Sequence, residues 1–400
     1  MSLIPIVVIA YNRPHALKRV LHSLSTASYP EGVNVELIVS IDYSDNTDCS
    51  EVANSFKWEF GKYRIIQHDQ NLGLKKHVLS CGDMSEGKDG IIVLEDDCFV
   101  SQDFYSYVVQ TYEFYKAEKR ICGISLYSYS INEFVEMPFI PLKGNSDVYF
   151  MQVPSSLGQF WSRESWLNFK LYLNETSETI SSTTHMPQRV TNWSRQSWKK
   201  YYYDYMVTKD LLFVYPYVSR STNFGDLGSH IKFPTQLYNV QLSCGDNVLK
   251  LTTLESNSII YDAFYEIMPE GISTLSKGLK VNFVVDTYCL KDDMLMDKEF
   301  VLTTYKTNQY REKYDTTLQP LICNYIHGLE GDGLYLVPTS VYLTFKERYC
   351  DRTIIKKHNF LSYQEGFYNG KHFVYDSKTY HVGNVIRKLI ASVNPFTRKN

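Results

Sequence analysis

The 400-residue sequence predicts an α/β fold with a mostly parallel β-sheet in its first half. Two observations favour this fold class. Short apolar runs alternate with segments of helical length, which is the pattern of β-α-β units with right-handed crossovers. The run at residues 90–94 is apolar or glycine throughout, as expected of a strand that is buried on both faces of its sheet.

The elements of the first half follow in a regular order. Residues 3–10 are an apolar strand, and the next helix starts at Pro14, because proline is favoured in the first turn of a helix. The other predicted elements are strands at 33–41, 63–68, 90–97, 121–126 and 211–216 and helices at 49–60, 74–79, 102–119 and 197–206.

A second region begins near residue 235, where the composition shifts to short strands with Gly and Asp turns. Its clearest predicted strands are residues 279–289, 300–305 and 334–345. Because 400 residues exceed one typical domain, we predict a first domain at 1–235, a β-rich accessory domain at 236–380 and a short tail at 381–400.

Composition excludes some partners and predicts a compartment. The 41 basic side chains are balanced by 44 acidic ones, which argues against a general nucleic-acid binder. Cys98 and Cys122 adjoin apolar runs and no CxxC or zinc spacing occurs, so we expect small buried thiols in a reducing compartment. The first strand begins at Leu3 and no apolar run could span a bilayer, which together predict a cytoplasmic protein.

Three consecutive carboxylates, Glu95, Asp96 and Asp97, end the strand at 90–97. Charged carboxylates resist burial unless they are paired or bind metal, and ligands of open α/β sheets bind at the carboxyl ends of strands. Oxygen ligands suit Mg²⁺ or Mn²⁺, which take one or two carboxylates plus substrate phosphates. Strand alternation predicts Glu95 and Asp97 on one face and Asp96 on the other. The alternative is a solvated turn that caps the helix near Gln102.

Two further polar side chains follow neighbouring strands. Arg13 comes after the first strand and Asp42 after the second, so both are expected at the edge that carries the acids. A planar guanidinium there suits a pyrophosphate, and the alternative is an ordinary surface arginine.

The segment from residue 154 to residue 230 holds other candidates. Trp161 and Trp166 follow a Gly turn and either line a ligand site or close the core. Asp204 lies among aromatic residues in a predicted helix, where it is either a general base or a surface residue paired with Lys200. The Gly-rich segment that follows, 221–230, predicts a loop that closes over a ligand.

Segments 5–14 and 93–105, together with Leu157, Gly158 and Trp166, resemble GT-A-fold glycosyltransferases. The most similar families are that of the Golgi N-acetylglucosaminyltransferase I and the bacterial family-2-like enzymes of surface-polysaccharide clusters. The resemblance covers residues 3–235.

The resemblance implies roles for the acidic edge. Asp97 would hold the Mn²⁺ or Mg²⁺ that bridges the diphosphate of a UDP-sugar. Glu95 and Asp96 would face the sugar and the ribose, and Arg13 and Asp42 would contact the nucleotide.

The resemblance also implies a base and a donor-side loop. Residues 203–206 match the family's base-bearing segment with one aspartate kept, Asp204, so direct displacement with inversion is expected. Asp226 is the next candidate for the base. The loop at 224–230 ends in Ser-His, which makes His230 a donor-binding candidate.

We therefore expect an inverting, metal-dependent glycosyltransferase that transfers a sugar from a UDP-sugar to a saccharide or lipid-linked saccharide, with N-acetylglucosamine favoured by the resemblance. One alternative is a sugar nucleotidyltransferase, although residues 11–14 lack its Gly-rich phosphate loop. The other is a non-catalytic sugar-binding or scaffold protein. Apolar residues at 385–393 share one face of a predicted helix and have basic residues nearby. This pattern predicts either a peripheral contact with the inner face of the plasma membrane or a docked terminal helix.

Overall fold

The structure is a computed structural model that describes residues 4–180, 185–226, 235–245, 248–255, 258–272, 275, 282–345 and 348. All of these residues belong to one compact unit, which spans Met1–Asp351. The described strands are β1 (Ile6–Ala10), β2 (Leu37–Ile41), β3 (Tyr63–Gln67), β4 (Gly90–Glu95), β5 (Cys98–Val100), β6 (Ile121–Ser125), β7 (Ile131–Asn132), β8 (Met137–Pro138), β9 (Val148–Met151), β10 (Gln159–Ser162), β11 (Leu212–Pro216), β12 (Ser221–Asn223), β13 (Ile260–Tyr261), β14 (Phe283–Asp286), β15 (Phe300–Thr303), β16 (Glu312–Tyr314) and β17 (Leu334–Pro338).

Helices cover the sheet and connect its strands. The described α-helices are α1 (Pro14–Ser25), α2 (Asp48–Ser55), α3 (Gly73–Asp83), α4 (Phe104–Tyr115), α5 (Arg163–Glu175), α6 (Gln188–Thr191), α7 (Trp198–Thr208), α8 (Ile322–Ile326) and α9 (Thr339–Tyr342). Two short 3₁₀ helices lie at Pro269–Ile272 and Asp293–Leu295.

A nine-stranded sheet in the order β13-β9-β11-β6-β10-β4-β1-β2-β3 organises the first half. The neighbours β4, β1, β2 and β3 pair in parallel, so their carboxyl ends meet at one edge. Strands β1 and β4 are buried along nearly their whole length, as the apolar runs predict for strands covered on both faces. The predicted α/β class with a mostly parallel sheet is confirmed.

Strand β10 is an element that the sequence pattern did not predict. It lies between β4 and β6 and is antiparallel to both. Its four residues include polar Gln159 and Ser162, so they lack the continuous apolar run that marks the neighbouring strands. Its position requires a glycine in β4, since a Cβ on Gly90 would lie 2.4 Å from the ring of Phe160.

The β-rich region after residue 280 has a sheet of its own, in the order β14-β15-β17-β16. A small apolar cluster supports it, formed by Val284, Met296, Val301, Tyr335, Val337 and Tyr342. The predicted strand at 334–345 is too long: β17 ends at Pro338, because proline has no N–H to donate to a strand partner, and α9 follows. The boundaries proposed for the domains at 1–235 and 236–380 and for the tail at 381–400 stay predictions.

The expectations about thiols and membrane spans can be compared with the described part of the chain. Cys98 and Cys122 are free and buried, as predicted. Among the described residues, no helix combines the length and the apolar character that crossing a membrane requires.

Candidate active site

Arg13 and the acids after β4 meet at the carboxyl edge of the sheet. Strands β1 and β4 run side by side with Ile9 opposite Glu95, so the residues that follow them are neighbours. The Nη1 of Arg13 donates to Oδ2 of Asp97 over 2.8 Å, and its Nη2 forms an ion pair with Asp96. Burial opposes the guanidinium's charge, but the two carboxylates outweigh it and raise the pKa of Arg13. The predicted meeting of Arg13 with these acids is confirmed.

The strand alternation expected for the three acids is wrong. Strand β4 ends at Glu95, and Asp96 and Asp97 form the turn that leads into β5. A turn breaks the period of two, so both aspartates reach the same guanidinium instead of pointing to opposite faces. The solvated-turn alternative is also excluded, because Asp96 is 2% and Asp97 6% exposed.

The cluster carries more negative charge than Arg13 balances. Burial, with a contribution from Asp97, raises the pKa of the Asp96 carboxyl to about 6 although Arg13 opposes the shift. Burial and the neighbouring Asp97 raise the pKa of Glu95 to about 8. Such shifts show that full ionisation is costly without a further positive charge. The cluster is therefore suited to hold a cation.

Asp97 has one oxygen available for such a cation. Its Oδ2 accepts from Arg13, whereas its Oδ1 is buried and has no hydrogen-bond partner among the described residues. No group of three or more acidic, His or Cys side chains in the described part of the chain could enclose a metal. Mg²⁺ and Mn²⁺ do not need such a cage, because substrate phosphates complete their coordination. The donor set at Asp97 fits a divalent ion of this kind.

Asp42 lies at the same edge, but its carboxylate binds the backbone. Its Oδ1 accepts from the N–H groups of Tyr43 over 2.9 Å and of Leu72 over 2.8 Å, and its Oδ2 accepts from Gly73 over 3.0 Å. These contacts fix the start of α3, where a negative charge also complements the helix dipole. The expected location is confirmed, and a contact with the nucleotide stays a prediction.

A buried histidine lies beneath Asp42. This residue is His77, and the hydroxyl of Ser40 hydrogen-bonds to its ring, with 2.8 Å between Oγ and Nε2. The ring of His68 lies 5.1 Å away, centroid to centroid. Burial lowers the pKa of His77 to about 4, outweighing the attraction of Asp42. His77 is thus neutral in the folded chain at neutral pH.

This neutral histidine predicts a pH-dependent stability. Between pH 4 and pH 6.5 the unfolded chain binds a proton at His77 that the folded chain does not, so the free energy of unfolding rises with pH across this window. Over this whole window the titration of His77 changes the free energy of unfolding by about 3 kcal/mol. Urea unfolding at several pH values should show a shallower rise for His77→Gln, which keeps a partner for Ser40. Equal slopes for the two proteins would contradict the prediction.

Asp204 hydrogen-bonds to a residue of α5. It is 1% exposed, at the packing of α7 against α5, where the Tyr172 hydroxyl donates to its Oδ2 over 2.7 Å. Its Oδ1 is buried and has no hydrogen-bond partner among the described residues. The alternative pairing with Lys200 is wrong, because Lys200 Nζ donates to the carbonyls of Thr191 and Trp193. The structure brings together Arg13 and the acids after β4, with Asp42 on the same edge, and gives Asp204 a hydrogen-bond partner on α5.

Trp161 and Trp166 close the core. Both are fully buried, and their ring centroids lie 4.7 Å apart. The indole N–H of Trp166 donates to Asp83 over 2.8 Å. Of the two interpretations of these tryptophans, the core interpretation is confirmed.

The segment after β12 contacts the turn that carries Asp97, and closure of the Gly-rich loop over a ligand stays a prediction. The backbone N–H of Phe224 donates to the carbonyl oxygen of Asp97 over 3.3 Å. The structure describes this segment up to Asp226, so the candidate His230 lies outside the described residues.

No local sequence pattern predicts the ion pairs of two charged groups near the acids. Arg19 of α1 forms an ion pair with Asp226. Lys199 of α7 donates to Glu133 over 2.9 Å and to the hydroxyl of Tyr129 over 3.2 Å, and its charge also favours ionisation of Glu95. Both partners are distant in sequence, and only the folded chain reveals them.

Part of the chain is similar to a known protein family. Residues 6–169 match the model of Glycosyl transferase family 2. No curated protein matches the chain. Among solved structures, residues 1–349 of S. aureus TarS in complex with UDP-GlcNAc are 12% identical, with a TM-score of 0.40, over 58% of this chain and 60% of that one.

Two other solved structures resemble the chain. GalNAc-T7 with UDP, GalNAc and Mn²⁺ is 13% identical, with a TM-score of 0.38, over 56% of this chain and 44% of that one. The Pyrobaculum calidifontis mannosyltransferase PcManGT with GDP-Man and Mn²⁺ is 11% identical, with a TM-score of 0.31, over 43% of this chain and 52% of that one. The chain spans less than two thirds of each of these structures.

The family match and the strand order lead to one conclusion. The predicted resemblance to GT-A-fold glycosyltransferases is confirmed over the matched segment, and its narrower link to N-acetylglucosaminyltransferase I stays a prediction. Over residues 6–169, this chain is therefore similar to Glycosyl transferase family 2.

Proposed function

We propose that this protein is a metal-dependent glycosyltransferase that transfers a sugar from a UDP-sugar to a hydroxyl group of a saccharide acceptor. The observation that carries the proposal is the Asp97 carboxylate, which has one oxygen on Arg13 and the other buried without a partner in the described chain. The family 2 match over residues 6–169 supports the reaction class.

Each charged group at the edge has a part in donor binding. A divalent ion, Mn²⁺ or Mg²⁺, held by Asp97 would neutralise the diphosphate as it leaves. Arg13 pairs with Asp97, and its planar guanidinium would bind the same diphosphate. The carboxylates of Glu95 and Asp96 would face the sugar and the ribose. Asp42 holds the start of α3, and the nucleotide would bind at the same edge.

Calorimetry with UDP tests the proposal. We expect UDP to bind the full chain in the presence of Mn²⁺ and much more weakly when the metal is chelated. UDP binding that is indifferent to metal, or absent, would contradict a metal-dependent enzyme. A hydrolysis screen over UDP-sugars would then identify the donor, for which we propose UDP-N-acetylglucosamine first. Formation of a UDP-sugar from UTP and a sugar phosphate would instead indicate a nucleotidyltransferase.

We further propose that Asp204 takes the proton of the acceptor hydroxyl, so that transfer inverts the anomeric centre. In the described conformation the acceptor would have to enter between α5 and α7 to reach the free Oδ1. Asp204→Asn keeps an acceptor for the Tyr172 hydroxyl, so we expect an unchanged Tm and a kcat lower by about 10²-fold or more.

The outcome of that experiment separates chemistry from packing. An unchanged kcat would leave Asp204 as a packing partner of Tyr172 and move the base elsewhere. Retention of configuration in the isolated product would rule out direct displacement. Asn174→Asp, an exposed position on α5, gives a control for a carboxylate change near this packing.

The acceptor is the least constrained substrate. We propose a saccharide or lipid-linked saccharide of bacterial surface polysaccharide synthesis, reached at the inner face of the plasma membrane. The basic tail at 381–400, which motivates the membrane contact, lies outside the described residues, so this contact stays a prediction from sequence.

A further inference from the structure

Arg19 provides a second guanidinium beside the acidic cluster, and this guanidinium forms an ion pair with a carboxylate. It lies on α1, six residues after Arg13, and forms an ion pair with Asp226. Its guanidinium carbon lies 4.2 Å from the centre of the Phe224 ring. Asp226 and Phe224 both belong to the short segment after β12.

The position of Arg19 relates it to the acids after β4. Burial lowers the pKa of Arg19, the charges of Asp97 and Asp96 oppose that shift, and Arg13 adds to it. Arg19 therefore lies within the electrostatic reach of all three groups. Its Nε is buried and has no hydrogen-bond partner in the described part of the chain, so the guanidinium has donor capacity that Asp226 does not use.

Two backbone features fix the segment that carries Asp226. The Phe224 N–H donates to the carbonyl oxygen of Asp97, which ties the segment to the turn that carries the acids. Gly225 follows with φ of +62°, and a Cβ there would lie 1.9 Å from the carbonyl oxygen of Thr235. Only glycine fits this conformation and this approach.

We propose that Arg19 binds the diphosphate of the donor together with Arg13, and that Asp226 occupies the Arg19 guanidinium in its place until the donor arrives. Carboxylates and phosphates use the same planar donor pattern of a guanidinium and compete for it. The inference rests on the proposed function and adds to it a second residue for the leaving diphosphate and an internal competitor. The ion pair with Asp226 is partly exposed, so a dianionic or trianionic diphosphate can displace it.

This arrangement predicts opposite effects for the two partners. Asp226→Asn removes the competitor and should tighten UDP binding by about threefold to fivefold, the range of a partly exposed ion pair. Arg19→Gln removes a ligand of the diphosphate and should weaken UDP binding by about tenfold or more. The double variant should behave as Arg19→Gln, because without the guanidinium there is nothing to compete for.

Calorimetry on the full chain, with UDP, uridine and inorganic pyrophosphate as separate probes, tests the proposal. Uridine affinity should be the same in all variants, since uridine has no phosphate. Glu113→Gln, which removes an exposed ion pair with Lys116 on α4, is the matched control and should leave every affinity unchanged. Arg19→Lys keeps the charge and should weaken UDP binding less than Arg19→Gln, which provides a second variant if the first does not fold.

The results distinguish this inference from the proposed function. If the unmodified chain binds no UDP, the proposed function fails, and pyrophosphate then decides whether Arg19 and Asp226 compete as inferred. If the chain binds UDP but Asp226→Asn weakens that binding, Asp226 supports the segment structurally and the inference is overturned. Equal losses of UDP and uridine affinity in Arg19→Gln would overturn it as well.

Discussion

Asp97→Ala should abolish the metal dependence of UDP binding and lower sugar transfer by about 10³-fold or more. The Oδ1 of Asp97 is buried without a partner in the described chain, as is the Oδ2 of Asp96, and Asp97→Ala removes the ligand that we assign to the ion. Charge neutralisation by a metal contributes several kcal/mol to such a transition state, and each 1.36 kcal/mol is a factor of ten in rate. Calorimetry with UDP and Mn²⁺, followed by a transfer assay, measures both effects.

The substitution should leave the fold intact. Arg13 keeps Asp96 as a partner, and removing Asp97 relieves repulsion that raises the pKa of Asp96 and Glu95. Glu86→Ala is the matched control, because this exposed acid precedes β4 and lies at the opposite edge of the sheet. An Asp97→Ala variant that still binds UDP in a metal-dependent manner would place the ion elsewhere.

Asp42→Ala should destabilise the folded chain by about 3 kcal/mol. The buried carboxylate accepts hydrogen bonds from the backbone of Tyr43, Leu72 and Gly73, and bonds to a charged acceptor are worth about 1.5–3 kcal/mol each. Some of this loss is recovered when water reaches the freed amides at the start of α3. Urea unfolding monitored by circular dichroism gives the change in the free energy of unfolding.

Two variants test whether Asp42 also contacts the nucleotide. Asp42→Asn keeps one acceptor oxygen, so it should lose about half as much stability as Asp42→Ala. Asp45→Ala, at an exposed acid three residues later, should change stability by less than about 0.5 kcal/mol. If Asp42→Asn weakens UDP binding while uridine and UDP lose affinity equally, the nucleoside is the partner. If UDP binding is unchanged, Asp42 acts only on α3.

The sequence by itself was sufficient for the parallel strands β1 to β4 and for the edge that carries the site. Apolar runs such as the one at 90–94 favour strands buried on both faces of a sheet, and alternating helices bring successive strands together in parallel. Because parallel strands end at the same edge, Arg13 was predicted beside the acids after β4, and the structure places it there. The same segments carry the resemblance to glycosyltransferases, and residues 6–169 match the model of Glycosyl transferase family 2.

Only the tertiary structure decided how those residues use their charges. Turn geometry after Glu95 brings Asp96 and Asp97 to one guanidinium. The carboxylate of Asp42 accepts a hydrogen bond from a backbone amide far along the chain. Strand β10 was missed because its polar residues face neighbours that the local pattern does not contain. Arg19 and Asp226 are 207 residues apart, and their ion pair depends on contacts between β5 and β12. Hydrophobic period is a local property, whereas charge pairing is set by whichever distant segments the fold brings together.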